Sequence, residues 1–398
     1  MKQIEESEIT GKFALFNSGF RPFFLGAALF AILSTLMWML VYVFSWNIRF
    51  NSHLPVIWHA HEMIYGYSLA VIAGFLLTAV GNWTNHQTLH GIPLFLLFAL
   101  WLSARVISFF AGSVSIEFHA VVDNLFIAFL LISTAVPVFK ARQWANIGVV
   151  SLLCLFLVSN IIFYRGMLTG DLERVYVGLY AGFYLVLALI FIMGRRVIPF
   201  FIEKGVGYPV VLKNWKWLDI SSLLLFLVFC IADMFSPEKL TVTLAAGVLF
   251  ILHTIRMIAW YTPGIWKKPL LWVLYLAYAA LLTGFALKVM VYVFNLSASL
   301  SLHAFAVGGI GMMTLGMMSR VALGHSGRSV FDPPKSLFWV FALLLLGVVI
   351  RVLVPIVDQT HYLLWIGLSQ GLWILSYSLF LTIYFPILTQ SRIDGRFG

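Results

Sequence analysis

The chain has 398 residues, of which 62% are hydrophobic and only 10% are charged, and its mean hydropathy is +0.99. Soluble domains carry about 25% charged residues, so this composition excludes a soluble protein and predicts an integral membrane protein. The formal net charge of +10 does not indicate nucleic-acid binding, because the basic residues fall in short loops. Cys154 and Cys230 each lie within an apolar run, so no disulfide framework is expected.

Apolar runs follow one another along almost the whole chain. Runs of roughly 17–25 residues predict about twelve transmembrane helices, and hence an all-α membrane protein. The first run, at about residues 22–44, is too long for a signal-peptide core and is interpreted as an uncleaved helix. With no long linker, residues 1–398 are predicted to form a single polytopic membrane domain, with helices from about residue 22 to about residue 386. The predicted helix centres are Leu33, Ser68, Trp101, Ile127, Phe156, Tyr184, Phe226, Phe250, Ala280, Gly311, Leu346 and Trp373.

The distribution of lysine and arginine predicts the orientation of these helices. Seventeen basic residues lie in the N-terminal segment, the even-numbered loops and the C-terminal segment, whereas 4 lie in the odd-numbered loops. Cytoplasmic loops carry an excess of basic residues, so both termini are predicted to be cytoplasmic and helices 2, 6 and 10 to start on the outer side. The seventeen residues are Lys2, Lys12, Arg21, Lys140, Arg142, Arg195, Arg196, Lys204, Lys213, Lys216, Lys267, Lys268, Arg320, Arg328, Lys335, Arg392 and Arg396.

The start of helix 2 carries two histidines and a carboxylate, in the sequence Trp-His-Ala-His-Glu-Met-Ile-Tyr-Gly of residues 58–66. Ionisable groups inside a membrane are costly and are therefore functional candidates. In a regular helix, His59 and His61 point about 160° apart. We therefore expect Glu62 on the face of His59 and Tyr65 on the face of His61. The pair of His59 and Glu62 either binds a metal, relays protons or is an interfacial polar pair.

Helix 10 begins with His303 and resembles helix 2. Aligning His303 with His61 also aligns Gly308 with Gly66, and the predicted topology places both histidines near the outer face. We expect the two imidazoles either to bracket one haem as axial ligands or to make hydrogen bonds at a helix contact. Glycines nearby either make room for the flat macrocycle or allow close helix packing. These glycines are Gly66, Gly308, Gly309 and Gly311.

The helices that follow each carry one arginine near the outer end, Arg105 in helix 3 and Arg351 in helix 11. Arginine forms bidentate hydrogen bonds with carboxylates, so both residues are predicted to bind haem propionates. The alternatives are snorkelling to the headgroups or pairing with Asp123 in helix 4. Helix 6 starts roughly midway between helices 2 and 10, and this spacing suggests three four-helix units.

Two further histidines are candidate metal ligands. His253 in helix 8 shares a predicted face with Arg256 and is either a ligand or a buried polar contact. His325 follows helix 10 on the predicted cytoplasmic side, where it joins Arg320 and Arg328 either in binding an anion or in lining a proton entry route. The candidate metal ligands are thus His59, His61, His303, His253 and His325, and the candidate catalytic residues are Glu62 and Tyr65.

Six segments together resemble the NnrS family. They are residues 58–63, 74–79, 82–84, 303–304, 318–320 and 324–328, and the resemblance extends from residue 19 to about residue 351. It implies a bacterial inner-membrane protein that binds haem and copper and is associated with nitric oxide metabolism and nitrosative stress. It does not determine which histidines hold haem and which hold copper. The motif positions are His59, His61, Glu62, Arg105, His303, Arg320, His325 and Arg328.

The predicted architecture is also similar to the catalytic subunit of haem–copper oxidases and nitric oxide reductases, which has twelve helices in three units and haem ligands on helices 2 and 10. Those enzymes place metal-binding histidines on helices 6 and 7, and here both helices lack histidine. A three-histidine copper site of that type is therefore not predicted, and a shared architecture does not by itself imply a shared function.

We expect a protein that uses haem, of b-type, together with copper to handle nitric oxide or nitrosylated metal species. Its partners would be a small ligand such as nitric oxide and the lipid bilayer, with no nucleic acid. Turnover would make it a nitric oxide oxidoreductase, but no electron-input site is recognisable. The alternatives are a haem-based sensor without turnover and a twelve-helix transporter.

Overall fold

A computed structural model describes residues 13–51, 54–110, 112–235 and 239–398. The protein is 80% helical, and the described residues contain no strand. The prediction of an all-α membrane protein is confirmed, and each of the twelve predicted helix centres lies within a separate helix. Lys2 and Lys12, which entered the charge count, lie outside the described residues.

Eleven helices in the described part of the chain are long and apolar enough to cross a membrane, and α3 is a shorter apolar helix of 17 residues. The helices are α1 (Phe20–Tyr42), α2 (Pro55–Thr84), α3 (Gly91–Ile107), α4 (Ile116–Lys140), α5 (Trp144–Thr169), α6 (Leu172–Gly205), α7 (Lys216–Phe235), α8 (Lys239–Ala259), α9 (Pro269–Phe294), α10 (Ala298–His325), α11 (Leu337–Val357) and α12 (Tyr362–Thr389).

Helices α2 and α10 share a rare conformation at matching positions. In α2, a π-helical segment over Glu62–Ser68 begins directly after His61, and in α10 a π-helical segment over Ala304–Gly311 begins directly after His303. π-Helical turns are uncommon and often occur at functional sites. The similarity of the two helices, first inferred from aligned histidines and glycines, therefore extends to their backbone geometry.

The internal contacts divide the chain into two compact units. Unit 1 comprises Met1–Leu185, Met318–Val330 and Tyr377–Gly398, and unit 2 comprises Val186–Met317 and Phe331–Ser376. The three four-helix units and the single membrane domain expected from the sequence stay predictions.

In unit 1, two glycines bring the backbones of α5 and α6 into close contact. A Cβ atom on Gly178 would lie 2.6 Å from the backbone nitrogen of Phe163, and one on Gly166 would lie 2.6 Å from that of Val175. Small residues permit such close approach of membrane helices.

Arg21 is fully buried in unit 1, where it binds the end of α12. Its Nη1 donates to the carbonyl oxygens of Ile387 and Leu388, each at 3.0 Å, and of Gln390 at 2.7 Å. The last carbonyl groups of a helix have no partner within the helix. Arg21 therefore stabilises a helix terminus, a role beyond its contribution to the predicted charge asymmetry.

Candidate functional site

Unit 1 contains a buried group of charged side chains. Nη1 of Arg105 donates to Oε2 of Glu62 at 2.8 Å, and Nη2 of Arg105 donates to Oδ1 of Asp123. All three residues are at most 1% exposed. Charges at this depth are tolerated only when they are paired and hydrogen-bonded. Arg105 therefore forms the ion pair with Asp123 that was one of its predicted alternatives. Its binding of a haem propionate stays a prediction.

His61 completes the group and binds acceptors through both ring nitrogens. Its Nδ1 lies 3.2 Å from Oε1 of Glu62, and its Nε2 lies 3.0 Å from Oδ1 of Asn160 and 3.4 Å from Oδ2 of Asp123. Carboxylate and amide oxygens accept hydrogen bonds, so these partners favour the doubly protonated imidazolium. The positive His61 and Arg105 then balance the negative Glu62 and Asp123. We call these four residues the charge quartet.

Polar side chains of α5 surround the quartet. Nδ2 of Asn160 donates to Oδ2 of Asp123 at 3.1 Å, and the hydroxyl of Tyr164 donates to the same oxygen at 3.2 Å. Tyr65, a candidate catalytic residue, lies beside His61 as expected, with 4.9 Å between the ring centroids. Its hydroxyl donates to Oγ of Ser159 at 2.9 Å or to the carbonyl of Gly178 at 2.7 Å. The phenol is thus anchored to neighbouring helices.

His119 lies beside the quartet and was not a candidate in the sequence. It is 4% exposed, and neither of its ring nitrogens has a hydrogen-bond partner. Its ring centroid is 5.5 Å from that of Tyr164, and it precedes Asp123 by one helical turn on α4. Neither His119 nor Asn160 and Tyr164 belongs to a recognisable motif, so the sequence did not predict that they lie at this site. Polar residues within the apolar runs of α4 and α5 were the available signal.

The expected face-sharing of His59 and Glu62 is corrected by the structure. The carboxylate of Glu62 contacts His61 and Arg105, while the ring of His59 stacks on Trp38 with 4.7 Å between centroids. The backbone of His61 is regular α-helix, with φ of −61° and ψ of −48°, so Glu62 still lies about 100° around the helix from His61. The flexible side chain of Glu62 nevertheless reaches the ring of its direct neighbour. Glu62 is therefore not turned away from His61.

Protein side chains fill the space beside the glycines of the two π-helical segments, and the expectation that these glycines make room for a macrocycle stays a prediction. A Cβ atom on Gly66 would lie 2.7 Å from Cε1 of Phe30, and one on Gly308 would lie 2.6 Å from Cβ of Ala280. A Cβ atom on Gly311 would lie 2.6 Å from the six-membered ring of Trp373. These glycines serve close packing, which was the alternative.

In unit 2, His303 is held by its own helix. Its Nδ1 lies 2.8 Å from the carbonyl oxygen of Ser299, which can only accept, so this nitrogen carries a proton. Nη2 of Arg351 lies 3.1 Å from Nε2 of His303, and it donates to Oγ of Ser299 at 3.1 Å. A neutral imidazole protonated on Nδ1 has its lone pair on Nε2, which is the form that binds a metal. His303 thus has the tautomer that an axial haem ligand needs, but its Nε2 faces the guanidinium of Arg351, which would have to move before iron bound there. Its role as a haem ligand stays a prediction.

His61 does not fit that role in the arrangement described here, because each of its nitrogens donates to an oxygen. It would have to give up one of these hydrogen bonds and the attached proton before it bound iron. His61 belongs to unit 1 and His303 to unit 2. The prediction that the two bracket one haem stays a prediction.

His253 makes a buried polar contact, which was one of the two roles predicted for it. Its Nδ1 bonds with the hydroxyl of Tyr278, and its ring stacks on Phe191 with 4.4 Å between centroids. Arg256 on the same helix donates to Oδ1 of Asp219 at 2.9 Å. The structure thus explains the burial of His253 and Arg256 by pairing, and metal binding by His253 stays a prediction.

His325 lies at the end of α10 in unit 1, with its ring 5.9 Å from that of Phe20. The segment after it closes the helix: the amide of Arg328 donates to the carbonyl of Leu323 at 2.9 Å, and Gly327 has φ of +78°. A left-handed glycine after the last turn is a common helix terminator. The glycine of this motif therefore has a structural reason, while the anion-binding role stays a prediction.

A metal site built from several side chains is not apparent in the part of the chain that the structure describes. Among those residues, no group of three or more His, Cys, Asp or Glu side chains is arranged to hold a metal ion. The candidates His59, His253 and His325 therefore do not form a common centre with further ligands of these types. Haem requires only one or two protein ligands, so this observation does not bear on it.

Comparison with known proteins agrees with the resemblance inferred from the motifs. A family model described as NnrS protein matches residues 14–392, which include all twelve helices. No curated protein matches the chain. The extent of the match exceeds that of the motifs, which ended near residue 351. This multi-pass membrane protein belongs to the NnrS family, which is linked to nitric oxide responses.

Proposed function

We propose that the protein binds a b-type haem through His303 and uses it to handle nitric oxide or nitrosylated metal species. The observation that carries this proposal is the bond from Nδ1 of His303 to the carbonyl oxygen of Ser299 at 2.8 Å. A second hydrogen bond of this kind fixes the tautomer and orientation of metal-binding histidines. We choose nitric oxide as the ligand because the family to which the protein belongs is linked to nitric oxide responses.

Each residue of this site has a separate role in the proposal. Ser299 orients the imidazole of His303 and keeps the proton on Nδ1, so that Nε2 presents its lone pair. Arg351, whose Nη2 contacts Nε2 in the structure, would leave that nitrogen when haem bound, and its planar guanidinium would then be available to a haem propionate. When bound, haem iron supplies a site that takes up nitric oxide and exchanges an electron.

Copper is not included in this proposal, although the resemblance implied it. The described residues offer no set of three His, Cys, Asp or Glu ligands, and the carboxylate of Glu62 is committed to Arg105 and His61. The residues seen here therefore do not fit a copper centre of that composition.

We further propose that the protein lies in the bacterial inner membrane with both termini in the cytoplasm. The support is the excess of 17 basic residues over 4 between the two sets of loops. Fusions of alkaline phosphatase and of a fluorescent protein to the C-terminus test this orientation. Phosphatase activity together with a dark fluorescent fusion would place the C-terminus outside.

An optical spectrum of the purified protein tests the proposed function. After haem-replete expression, we expect a Soret band that shifts when nitric oxide is added, and the absence of that band would refute haem binding. Nitric oxide consumption with a supplied electron donor then distinguishes an enzyme from a sensor. A transporter that does not use haem would show neither the band nor the shift.

A further inference from the structure

We propose that unit 1 binds a phosphate group where the start of α1 meets the ends of α10 and α12, and that Arg328 donates hydrogen bonds to it. Arg21 and Arg392 supply further positive charge, and we call these three residues the arginine cluster. The proposal does not depend on haem or nitric oxide, since the cluster shares no residue with the His303 site.

The cluster joins three distant parts of the chain within one unit. Arg21 lies in the first turn of α1, Arg328 follows α10, and Arg392 follows α12. The charges of Arg328 and Arg392 both act on that of Arg21. In the proposed orientation these helix ends are cytoplasmic. The cluster then lies on the side of the membrane where basic residues meet anionic phosphate groups.

Hydrogen bonds within the protein fix two of the three side chains. Besides the carbonyl groups at the end of α12, Arg21 binds the backbone oxygen of Gly398 through Nε at 3.1 Å and Nη2 at 2.7 Å. Arg392 donates from Nη1 to the carbonyl of His325 at 2.9 Å and from Nε to Oδ1 of Asp394 at 2.8 Å. These two charges are therefore in position before any ligand binds, which lowers the cost of binding.

Arg328 has a donor that the protein does not use. Its Nη1 is buried and has no hydrogen-bond partner among the described residues. A buried donor without a partner is costly, and each such group calls for an explanation such as an ion or a water molecule. The amide of Arg328 bonds to the carbonyl of Leu323 after the left-handed Gly327, so the side chain extends from an ordered turn.

The cluster has an excess of positive charge. Among the described residues, Asp394 is the one carboxylate side chain that forms an ion pair with any of the three arginines, and its partner is Arg392. An anion beside Arg328 would offset the repulsion between the remaining guanidinium groups. The neighbouring Ser329 and Asp394 are exposed, so an anion reaches Arg328 from the surface. Guanidinium matches phosphate because its fork donates two parallel hydrogen bonds.

The structure gives Arg328 other companions than the sequence suggested. The sequence grouped it with Arg320 and His325 as a site for an anion or for proton entry. The ring of His325 instead lies near Phe20, and its carbonyl accepts from Arg392. His325 is thus a positioning residue for Arg392 at this site.

The phosphate group has two possible sources, a soluble compound and an anionic phospholipid. Isothermal titration calorimetry with inorganic phosphate, on the full-length protein in neutral detergent at constant ionic strength, tests the first. We expect saturable binding that Arg328→Gln weakens by about 10-fold or more, the effect of one hydrogen bond to a charged group. Arg328→Lys keeps the charge without the fork and should also weaken binding. Arg142→Gln removes an exposed arginine of the same predicted side and should not.

Native mass spectrometry of the protein from nanodiscs of phosphatidylglycerol and phosphatidylcholine tests the second source. We expect retained phosphatidylglycerol to fall in Arg328→Gln and Arg328→Lys, but not in Arg142→Gln. This pattern with either probe supports the site and identifies the source. The proposal is wrong if neither probe binds, if Arg328→Lys binds like the wild type, or if Arg142→Gln weakens binding as much as Arg328→Gln. In those cases Arg328 contributes charge for orientation alone.

Discussion

Nη1 of Arg105 donates a hydrogen bond of 2.8 Å to Oε2 of Glu62, a residue 43 positions earlier in the chain. This contact joins α3 to the first residue of the π-helical segment in α2. The other side of the guanidinium binds Asp123 of α4, so one side chain connects three helices of unit 1. Arg105 therefore stabilises the packing of these three helices, independently of any role in binding a cofactor.

The Arg105→Met variant should lose much of its stability. Removing one partner of a buried ion pair leaves an uncompensated charge, and such changes cost about 3–5 kcal/mol. The exposed pair of Arg174 and Asp171 provides the matched control. For Arg174→Met, we expect about 1 kcal/mol or less. Denaturant unfolding in one detergent compares the two, and equal losses of unfolding free energy would contradict the buried network.

The His303→Ala variant should lose the Soret band of the haem-loaded protein, because the proposed iron ligand is removed. His86→Ala and His361→Ala, which alter histidines outside the two sites, should keep it. His61→Ala decides the second axial position: loss or conversion of the spectrum would support the predicted pair of ligands. A normal haem content in both His61→Ala and His303→Ala would show that neither residue holds the haem.

The Arg351→Lys variant should weaken haem retention by roughly 10- to 100-fold, the range seen when outer residues of a metal site are changed. Lysine keeps the charge but cannot form the forked hydrogen bonds of guanidinium. Haem transfer to apomyoglobin measures the retention. Arg105→Lys is the informative comparison, because Arg105 is already bound to Glu62 and Asp123. A larger effect at Arg105 than at Arg351 would reverse our assignment.

Two glycines at the end of α10 should respond to alanine in opposite ways. Gly327 has φ of +78°, and a Cβ atom there would lie 3.0 Å from Cγ of Asp394, so Gly327→Ala should destabilise the protein by about 1–2 kcal/mol. Gly324 lies within the helix, and its nearest neighbour would be 3.8 Å away. Gly324→Ala should therefore be neutral or stabilising by up to about 1 kcal/mol. Thermal unfolding measures both changes in stability, and a change of the same sign in the two variants would contradict this prediction.

The sequence indicated several parts of the unit 1 site without their partners. His61, Glu62, Arg105 and Asp123 stood out because ionisable residues inside apolar runs are rare. Pairing of Arg105 with Asp123 was one of the alternatives considered. The partnership of Glu62 with His61 was not foreseen, because a helical wheel with a regular turn places them on different faces. The side chain of Glu62 nevertheless reaches the ring of His61, its direct neighbour in the chain.

The sequence by itself determined the class of the protein and the positions of its twelve helices. A backbone in hydrocarbon must satisfy its own hydrogen bonds, so runs of about 20 apolar residues have few alternatives to a membrane helix. Only the tertiary structure decided which charges pair with each other and which partners the two nitrogens of each histidine face. Those properties depend on contacts such as Asn160 with His61 and Arg351 with His303, which join residues far apart in the chain. A local pattern carries no information about the distance between them.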